Sequence, residues 1–263
     1  MDLGLKGKSV IVTASSKGLG KAVAKAFAEE GAHVFISSRN ETLLKSTAEE
    51  IIQATGNENV HYFACDLTNH DSIQQLVERV VALHGTVDCL VNNAGGPPAG
   101  GFEQFSDEQW QKAFELNLLS YIRMIREVLP WMKKKQNGRI VNIASSSIKQ
   151  VIDNLILSNT FRAGIAGLSK SLSTELAKYN ILINTVGPGR IATDRVRELD
   201  SIRANELNIS FEEQVKKMES LIPMKRYGTP DEFAKVVVFL CSQANTYMTG
   251  QSLIIDGGMV KAL

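Results

Sequence analysis

The chain has 263 residues, a formal net charge of +1 at pH 7, and 44% hydrophobic against 22% charged residues. This size and composition are typical of one large globular domain with a single core. The low net charge gives no long-range field that would attract nucleic acid or anionic lipid. No apolar run approaches membrane-spanning length, and the first ten residues, MDLGLKGKSV, lack the apolar stretch of a signal peptide. We therefore expect a cytoplasmic protein with no nucleic-acid or membrane partner.

The cysteines and histidines give no sign of crosslinks or metal. Cys65, Cys89 and Cys241 are odd in number and lack C-x-x-C spacing, which is typical of small buried thiols in a reducing compartment. The four histidines are scattered along the sequence, and none has the spacing of metal ligands. We therefore expect no catalytic zinc and no other metal site.

Short apolar runs alternate with helical patterns from one end of the chain to the other. Most of these runs are apolar on both faces, as expected for strands of a parallel sheet that helices cover on both sides. The alternation predicts right-handed crossovers and an α/β fold, a single-domain doubly wound Rossmann fold with about seven parallel strands. The predicted strands are residues 10–12, 34–37, 61–64, 89–92, 140–144, 182–185 and 253–255.

Several helix starts are marked by capping boxes, at Ser106 to Gln109 and at Thr229 to Glu232. Long helices are predicted over residues 107–134 and 158–178. No linker, repeat or low-complexity segment divides residues 1–263, which we interpret as one dinucleotide-binding domain. Residues 190–224 are charged, loosely periodic and long for a connection, which predicts a small helical flap over a site.

The first predicted strand leads into a turn of small residues and glycine, followed by a helix over residues 21–30. Such a turn lets backbone N–H groups approach a pyrophosphate, and the helix N-terminus adds a partial positive charge. In this strand-turn-helix context the pattern favours a dinucleotide site over a merely tight turn. The turn consists of Thr13, Ala14, Ser15, Ser16, Lys17, Gly18, Leu19 and Gly20.

The end of the second predicted strand indicates which nicotinamide cofactor binds. An NAD site places a carboxylate there, about 20 residues beyond the turn, but this chain has Ser38 and Arg39. Arg39 can donate a bidentate pair to a 2′-phosphate, and Lys17 can add a second cation. The alternative is that Arg39 only begins the next helix in solvent. We predict NADP(H).

These features resemble the short-chain dehydrogenase/reductase family, notably its 3-oxoacyl-carrier-protein-reductase-like branch, from Leu5 to Gly258. The turn is similar to the T-G-x-x-x-G-x-G turn of the family, with Ala14 in place of its first glycine. The resemblance implies cofactor contacts at the adenine ring, beneath the adenosine and at the nicotinamide carboxamide. They are, respectively, Asp66 and Leu67; Asn93, Ala94 and Gly95 of the N-N-A-G turn; and Pro188, Gly189, Ile191 and Thr193 of the P-G-x-x-x-T turn.

The resemblance also implies a catalytic centre in which asparagine, serine, tyrosine and lysine cooperate. Asn117 and Ser145 match the first two, whereas Ser158 and Arg162 stand where the family has its tyrosine and lysine. No tyrosine near Ser158 in the sequence replaces the phenol. A serine hydroxyl is a far poorer acid than a phenol, and a guanidinium does not release its proton in proteins. Arg162 could still hold ribose hydroxyls or offer positive charge to a developing alkoxide.

Three functions are compatible with this pattern. The favoured one is an NADPH-dependent carbonyl (3-oxoacyl-like) oxidoreductase with an altered catalytic centre, acting on a small-molecule carbonyl substrate. The alternatives are an NADP(H)-binding sensor or assembly module without catalysis, and a different reaction, such as elimination, on the same scaffold. Arg190 and Arg195, near the predicted flap, could meet an anionic substrate or simply serve helix ends.

The two long predicted helices, 107–134 and 158–178, are apolar over more than one face, which favours burial on both sides. In the family these helices form an interface with a symmetry mate. We therefore expect a homo-oligomer, a dimer or a tetramer, with the homotetramer favoured.

Overall fold

A computed structural model describes residues 2–262, which form a single seven-stranded sheet with helices on both faces. The strand order is β3-β2-β1-β4-β5-β6-β7 and every pairing is parallel. The predicted doubly wound fold is confirmed, and all seven predicted strands are present, with their ends moved by at most three residues. The strands are β1 (Ser9–Val12), β2 (His33–Ser38), β3 (Val60–Ala64), β4 (Cys89–Asn92), β5 (Gly138–Ile143), β6 (Ile181–Pro188) and β7 (Ser252–Ile255).

Nine α-helices occur among the described residues. Between β1 and β4 the chain reverses the direction in which it adds strands, and in such sheets ligands bind at this point, beyond the carboxyl ends of the strands. The helices are α1 (Gly18–Glu29), α2 (Glu41–Thr55), α3 (His70–His84), α4 (Asp107–Phe114), α5 (Ser120–Lys135), α6 (Ile156–Leu176), α7 (Asp194–Leu207), α8 (Phe211–Leu221) and α9 (Pro230–Cys241).

The sheet separates two hydrophobic cores. Val10 and Val12 point to one face, where α1, α2 and α9 pack, whereas Ile11 points to the other face, against α3, α5 and α6. Successive side chains of a strand point to opposite faces, so a strand that is covered on both sides must be apolar at every position. This explains why the strands read as continuous apolar runs.

The predicted helix over residues 107–134 is wrong in one respect, because a π-helical turn at Glu115–Leu119 separates α4 from α5. Asn117 lies in this turn and is fully buried. Apolar periodicity cannot reveal a π turn, since it shifts the helix face by only one residue, but such turns are frequent at functional sites. The predicted helix over residues 158–178 is α6, which begins two residues earlier and continues into a 3-10 turn, Ala177–Tyr179.

The segment predicted as a flap holds α7 and α8 and is tied down by buried polar contacts. Arg190 Nη1 pairs with Asp200 Oδ1 at 2.7 Å, and the hydroxyl of Tyr227 donates to Asp200 Oδ2 at 2.9 Å. Burial and the hydrogen bond to this carboxylate raise the pKa of Tyr227. A bridge between Ile191 and Gly228 closes the base of the segment.

Cys65 and Cys89 are buried free thiols, as the sequence predicted, and Cys241 is buried as well. The four histidines are scattered along the sequence, but the fold brings His33, His61 and His84 together. Their separation along the chain concealed this cluster. None of the helices described between residues 2 and 262 has both the length and the apolar character that a membrane crossing requires.

Candidate active site

The predicted site residues follow successive strands at one edge of the sheet. Since all strands are parallel, their carboxyl ends meet at this edge. Thr13 follows β1, Arg39 follows β2, Asn93 follows β4 and Ser145 lies just beyond β5. The fold therefore brings the cofactor and reaction residues of the sequence analysis to a common crevice.

Hydrogen bonds join the turn after β1 to the turn after β4. The Thr13 hydroxyl donates to the carbonyl oxygen of Asn93 at 2.7 Å and accepts from the backbone N–H of Asn93 at 2.8 Å. The Asn93 side-chain amide donates to the carbonyl oxygen of Ala14 at 3.0 Å. The two turns that flank the switch point are thus fixed relative to each other before any ligand binds.

The turn after β1 has Ala14 at the position of the family's first glycine, in a backbone conformation that favours glycine. Ala14 has a φ of +46°, in the left-handed region, which costs a non-glycine residue about 1–2 kcal/mol. Gly20 cannot be replaced by a residue with a side chain without a clash, because a Cβ there would lie 2.6 Å from Ala14 O and 2.8 Å from Ser15 Cα. The close approach of α1 to the turn therefore depends on Gly20.

Positive charge borders the adenosine end of the crevice. Lys17, the residue before α1, and Arg39 are both exposed. Backbone and hydroxyl hydrogen bonds from Thr68, and then the nearby charge of Arg39, lower the pKa of Asp66. Arg39 and Asp66 therefore face each other across the ends of β2 and β3. The segment of residues 37–40 contains no acid, so nothing at the end of β2 would repel a 2′-phosphate.

At the nicotinamide end, Gly189 packs so closely on Asp256 that a side chain there would collide with it. Thr193 caps α7 by accepting from the backbone N–H of Val196 at 3.4 Å. The Thr193 methyl also faces Gly18 of the phosphate-binding turn, 3.9 Å from where a Cβ on Gly18 would lie. The start of the flap thus lies directly above that turn.

The crevice has the features that a dinucleotide requires: free backbone donors at a helix N-terminus, glycines at points of close approach, and cations at the adenosine end. The structure brings all the predicted cofactor residues to this edge; Ser15, Leu67 and Ile191 are buried there as supports of the turns. Their contacts with the cofactor stay predictions. They are Thr13, Ser15, Ser16, Lys17, Gly18, Leu19, Gly20, Ser38, Arg39, Asp66, Leu67, Asn93, Ala94, Gly95, Pro188, Gly189, Ile191 and Thr193.

The guanidinium of Arg162 makes its hydrogen bonds to groups of the protein. Nη1 donates to the Tyr121 hydroxyl at 2.8 Å and to Ile143 O at 3.0 Å, and Nη2 donates to Ala94 O at 3.2 Å. The residue is only 4% exposed. This geometry does not favour the expected contact of Arg162 with ribose hydroxyls. Two of its nitrogens already donate hydrogen bonds to groups between the ends of β4 and β5.

Sequence reasoning missed Tyr121, which follows Asn117 by one helical turn. Its hydroxyl donates to Ile143 O at 2.7 Å, and the side chain is fully buried. Burial raises the pKa of Tyr121, although the Arg162 charge opposes the shift, so the phenol stays protonated. Tyr121 supports Arg162 and does not open to the crevice. The available signal was its spacing from Asn117 on a helix that packs against α6.

The other predicted reaction residues lie near Arg162 and Tyr121; they are Asn117, Ser145 and Ser158. The Ser145 hydroxyl accepts from the backbone N–H of Ser147 at 3.1 Å. Ser158 is 9% exposed, and its hydroxyl has no hydrogen-bond partner within residues 2–262. The Asn117 amide donates to Ala113 O at 3.2 Å, whereas Asn117 Oδ1 is buried without a partner in the described chain. Among the predicted reaction residues, Asn117 Oδ1 is therefore a buried oxygen without a partner in the described chain, and none of the four supplies a phenol.

Neither flap arginine is free in this structure. Arg190 pairs with the buried Asp200. Arg195 donates to Pro97 O at 2.8 Å and to Glu198 at 2.9 Å, which joins the flap to the loop after β4. These contacts favour the structural alternative for both residues over recognition of an anionic substrate.

Comparisons with known proteins agree with this geometry. The sequence model of the family described as enoyl-(acyl carrier protein) reductase matches residues 13–260. The chain is 35% identical over 258 residues to 3-oxoacyl-(acyl-carrier-protein) reductase FabG of Thermotoga maritima, a match that covers 97% of this chain and 99% of the relative.

Two solved structures are similar throughout. L-sorbose reductase from Gluconobacter frateurii, complexed with NADPH and L-sorbose, has a TM-score of 0.94 and 32% identity, with 100% of each chain covered. An actinorhodin polyketide ketoreductase with NADPH has a TM-score of 0.92 and 32% identity, covering 96% of this chain and 97% of the other. The chain belongs to the short-chain dehydrogenase/reductase family. Several of its relatives are named 3-oxoacyl-(acyl-carrier-protein) reductases, which places the chain in the oxidoreductase class of this family.

Proposed function

We propose that the protein is an NADPH-dependent carbonyl reductase for small 3-oxoacyl-like substrates, in which a buried arginine takes over the electrostatic part of the reaction and water supplies the proton. The observation that carries this proposal is the charge of Arg162. The guanidinium is nearly inaccessible, and Tyr121 and two carbonyl oxygens, all uncharged, are its hydrogen-bond partners.

Within residues 2–262 no carboxylate lies at ion-pair distance from Arg162. A buried ion without a countercharge is costly to maintain. Arg162 lies between the ends of β4 and β5, next to the crevice, so its field favours negative charge there. An oxygen that becomes an alkoxide would be stabilised by such a preorganised positive charge.

The serine hydroxyls can organise the reacting groups. Ser145 is at the end of β5 and Ser158 is in the first turn of α6, and the unpaired hydroxyl of Ser158 can bind either a carbonyl oxygen or a water. When bound, NADPH supplies the hydride. A serine is shorter than a tyrosine by a ring, which leaves room for a water to protonate the alkoxide, and the hydroxide formed is released to solvent. Losing a positioned acid costs about 10²–10⁴ in rate, whereas orientation of the reactants can still contribute roughly 7–11 kcal/mol.

The preference for NADPH is supported by charge. Arg39 is exposed at the end of β2 and Lys17 precedes α1, so both cations border the place of a 2′-phosphate. The similar L-sorbose reductase and actinorhodin ketoreductase structures contain NADPH. Three buried free thiols fit a reducing, cytoplasmic location.

Oligomer formation is supported by a partly exposed aromatic cluster on α4, α6 and the preceding turn. Phe102 is 72% exposed, and Trp110 and Phe114 pack with Phe161 at ring-centroid distances of 5.7 and 6.0 Å. Exposed apolar patches of this kind mark interaction sites. We infer a homo-oligomer, with the homotetramer favoured, and expect light scattering to show its dissociation in Trp110→Glu.

The decisive experiment measures NADPH oxidation with a panel of 3-oxoacyl thioesters, ketones and keto sugars, first with the natural chain and then with Arg162→Gln. We expect slow turnover with at least one carbonyl and a lower kcat in Arg162→Gln. Ser158→Ala tests the hydroxyl separately. Tight NADPH binding with no turnover of any carbonyl would contradict the proposal.

That outcome would favour the second candidate, an NADP(H)-binding module without catalysis. Its supporting observation is that Arg162 and Tyr121 bond to each other and to the backbone. The double variant Ser158→Tyr with Arg162→Lys separates the two functions. If only the double variant is active, the natural chain has no catalytic activity. If the double variant is less active than the natural chain, Ser158 and Arg162 form a working catalytic pair.

A further inference from the structure

Three of the four histidines meet at the edge of the sheet opposite the cofactor crevice. His33 begins β2, His61 is the second residue of β3 and His84 ends α3. One ring nitrogen from each lies within 4.8 Å of the other two. The rings of His33 and His84 are 4.3 Å apart between centroids. Elements far apart in sequence thus place three imidazoles around one point.

The cluster is partly buried beside an aromatic wall. Phe35 stacks on His61 at 4.9 Å and meets His84 edge-on at 5.2 Å. Nδ1 of His33 is buried and has no hydrogen-bond partner in the described part of the chain. A buried nitrogen left unpaired is destabilising unless a ligand completes it. Packing alone accounts for the ring contacts but not for this nitrogen.

Two of the three imidazoles hold a proton less readily than a free histidine does. Burial, followed by the nearby His33, lowers the pKa of His61 and also that of His84. Neutral imidazole is the form that coordinates metals. The charge of Asp88 opposes the lowering of the His84 pKa, but its carboxylate pairs with Lys135 and accepts from the backbone N–H of Ser9.

We propose that His33, His61 and His84 form a binding site for one divalent transition-metal ion such as Zn²⁺ or Co²⁺. Nitrogen ligands lie about 2.0–2.1 Å from zinc, so the nitrogens of a tetrahedral site are about 3.4 Å apart. The three nitrogens now lie within 4.8 Å of one another, so binding requires them to approach by side-chain rotation. Water completes the coordination, since Asp88 is engaged elsewhere.

The consequence of such a site is structural. A bound ion ties together the beginnings of β2 and β3 and the end of α3, which hold the adenosine half of the sheet. An ion that binds the folded chain and not the unfolded one raises the apparent stability by mass action. The inference does not depend on the proposed reaction, since the site lies at the other end of the strands.

The test uses tag-free protein stripped of metal with a chelator, so that no engineered histidines compete. Co²⁺ is titrated while visible absorption is recorded, and Zn²⁺ binding is measured by calorimetry and by the rise in Tm. We expect one ion per chain, visible bands of Co²⁺ coordinated by nitrogen, and a higher Tm.

Two variants and one control decide the outcome. His84→Gln removes one ligand, and His61→Phe removes another while keeping the aromatic stack on Phe35, so that one variant preserves the packing. Losing a group that hydrogen-bonds to a metal ligand typically weakens metal binding about 10- to 100-fold. Each variant loses a ligand itself, so each should weaken metal binding at least as much. His70→Gln is the matched control, because His70 is exposed and contacts Glu127 at 3.0 Å. Absent binding in the natural chain, or equal loss in all three variants, would overturn the proposal.

Discussion

The two halves of the crevice use polar groups in opposite ways. Around β1 to β3 they face outward: backbone donors open at the start of α1, and Lys17 and Arg39 are exposed. Around β4 to β6 the principal charge faces inward, with Arg162 bonded to Tyr121 and to two backbone carbonyls. The first half offers its charge directly to a ligand, whereas the second acts through the field of a buried cation.

This difference shows which part of a fold tolerates substitution. A phosphate-binding turn depends on backbone positions, so Ala14 is accepted at the cost of a left-handed φ. A reaction site depends on side-chain chemistry, so each buried polar side chain there needs a partner of its own. Tyr121 is such a partner, because it gives the Arg162 guanidinium a buried acceptor.

The largest expected effect is that of Gly20→Ala in the outward-facing half. The added Cβ would lie 2.6 Å from Ala14 O, so α1 must move away from the turn. Overpacking of this kind costs about 1–3 kcal/mol in the free energy of unfolding, and we expect NADPH binding to be largely lost because the backbone donors shift. Urea unfolding and fluorescence titration measure the two quantities.

Gly167→Ala provides the matched control, since Gly167 is also helical but a Cβ there meets nothing within 4 Å. Alanine should stabilise that helix by roughly 0.5–1 kcal/mol and leave NADPH affinity unchanged. Equal behaviour of the two alanine variants would refute the steric account of the turn.

A smaller effect is expected from Arg39→Ala, which tests the outward-facing charge directly. A charge-assisted hydrogen bond contributes about 1.5–3 kcal/mol, so NADPH affinity should fall about 10- to 100-fold while NADH affinity stays the same. Calorimetric titration with both nucleotides measures this, and Arg203→Ala serves as a surface control because Arg203 is exposed and pairs with Glu206 of its own helix. An equal loss for both nucleotides would show that Arg39 does not read the 2′-phosphate.

Tyr121→Phe tests the inward-facing half. Removing the hydroxyl deprives Arg162 of one acceptor and Ile143 O of one donor. We expect a loss of about 1–2 kcal/mol in the free energy of unfolding and a lower kcat with little change in KM for NADPH. Tyr179→Phe, at a less buried position, should alter neither. A change in NADPH binding without a change in kcat would mean that Tyr121 serves the cofactor and not Arg162.

The sheet was predictable from sequence because its strands are buried on both faces and thus apolar throughout. The cofactor turns were predictable because Gly20, Asn93 and Gly189 occupy fixed places relative to strand ends. The resemblance to a family singled out Asn117 and Ser145, whose roles stay predictions and whose turns both pack against α6. In each case local sequence and position on a strand or helix determine the structure.

What the sequence did not reveal arises from tertiary contact. Nothing near Arg162 in the chain indicated that Tyr121 would meet it, and the three histidines belong to three different elements. The π turn at Glu115–Leu119 was concealed because one extra residue barely disturbs the apolar pattern. Side-chain convergence of this kind requires the sheet order, which short-range patterns do not contain.

The smallest expected effect is that of Glu232→Gln, which tests the polar contacts at the root of the flap. The Arg226 side chain, and then the Thr229 backbone N–H, lower the pKa of Glu232 from 4.5 to about 2. A carboxyl whose pKa is lower in the folded state stabilises the fold above the pKa of the unfolded chain and loses that contribution as the pH falls toward 2.

Glutamine keeps the capping box with Thr229 but removes the charge. We therefore expect a small drop in Tm at pH 7 that disappears between pH 4.5 and 2, and a smaller drop in Glu213→Gln, whose capping box at Ser210 has no arginine partner. A Tm difference between Glu232→Gln and the natural chain that persists at pH 2 would show that the effect is one of packing and not of charge.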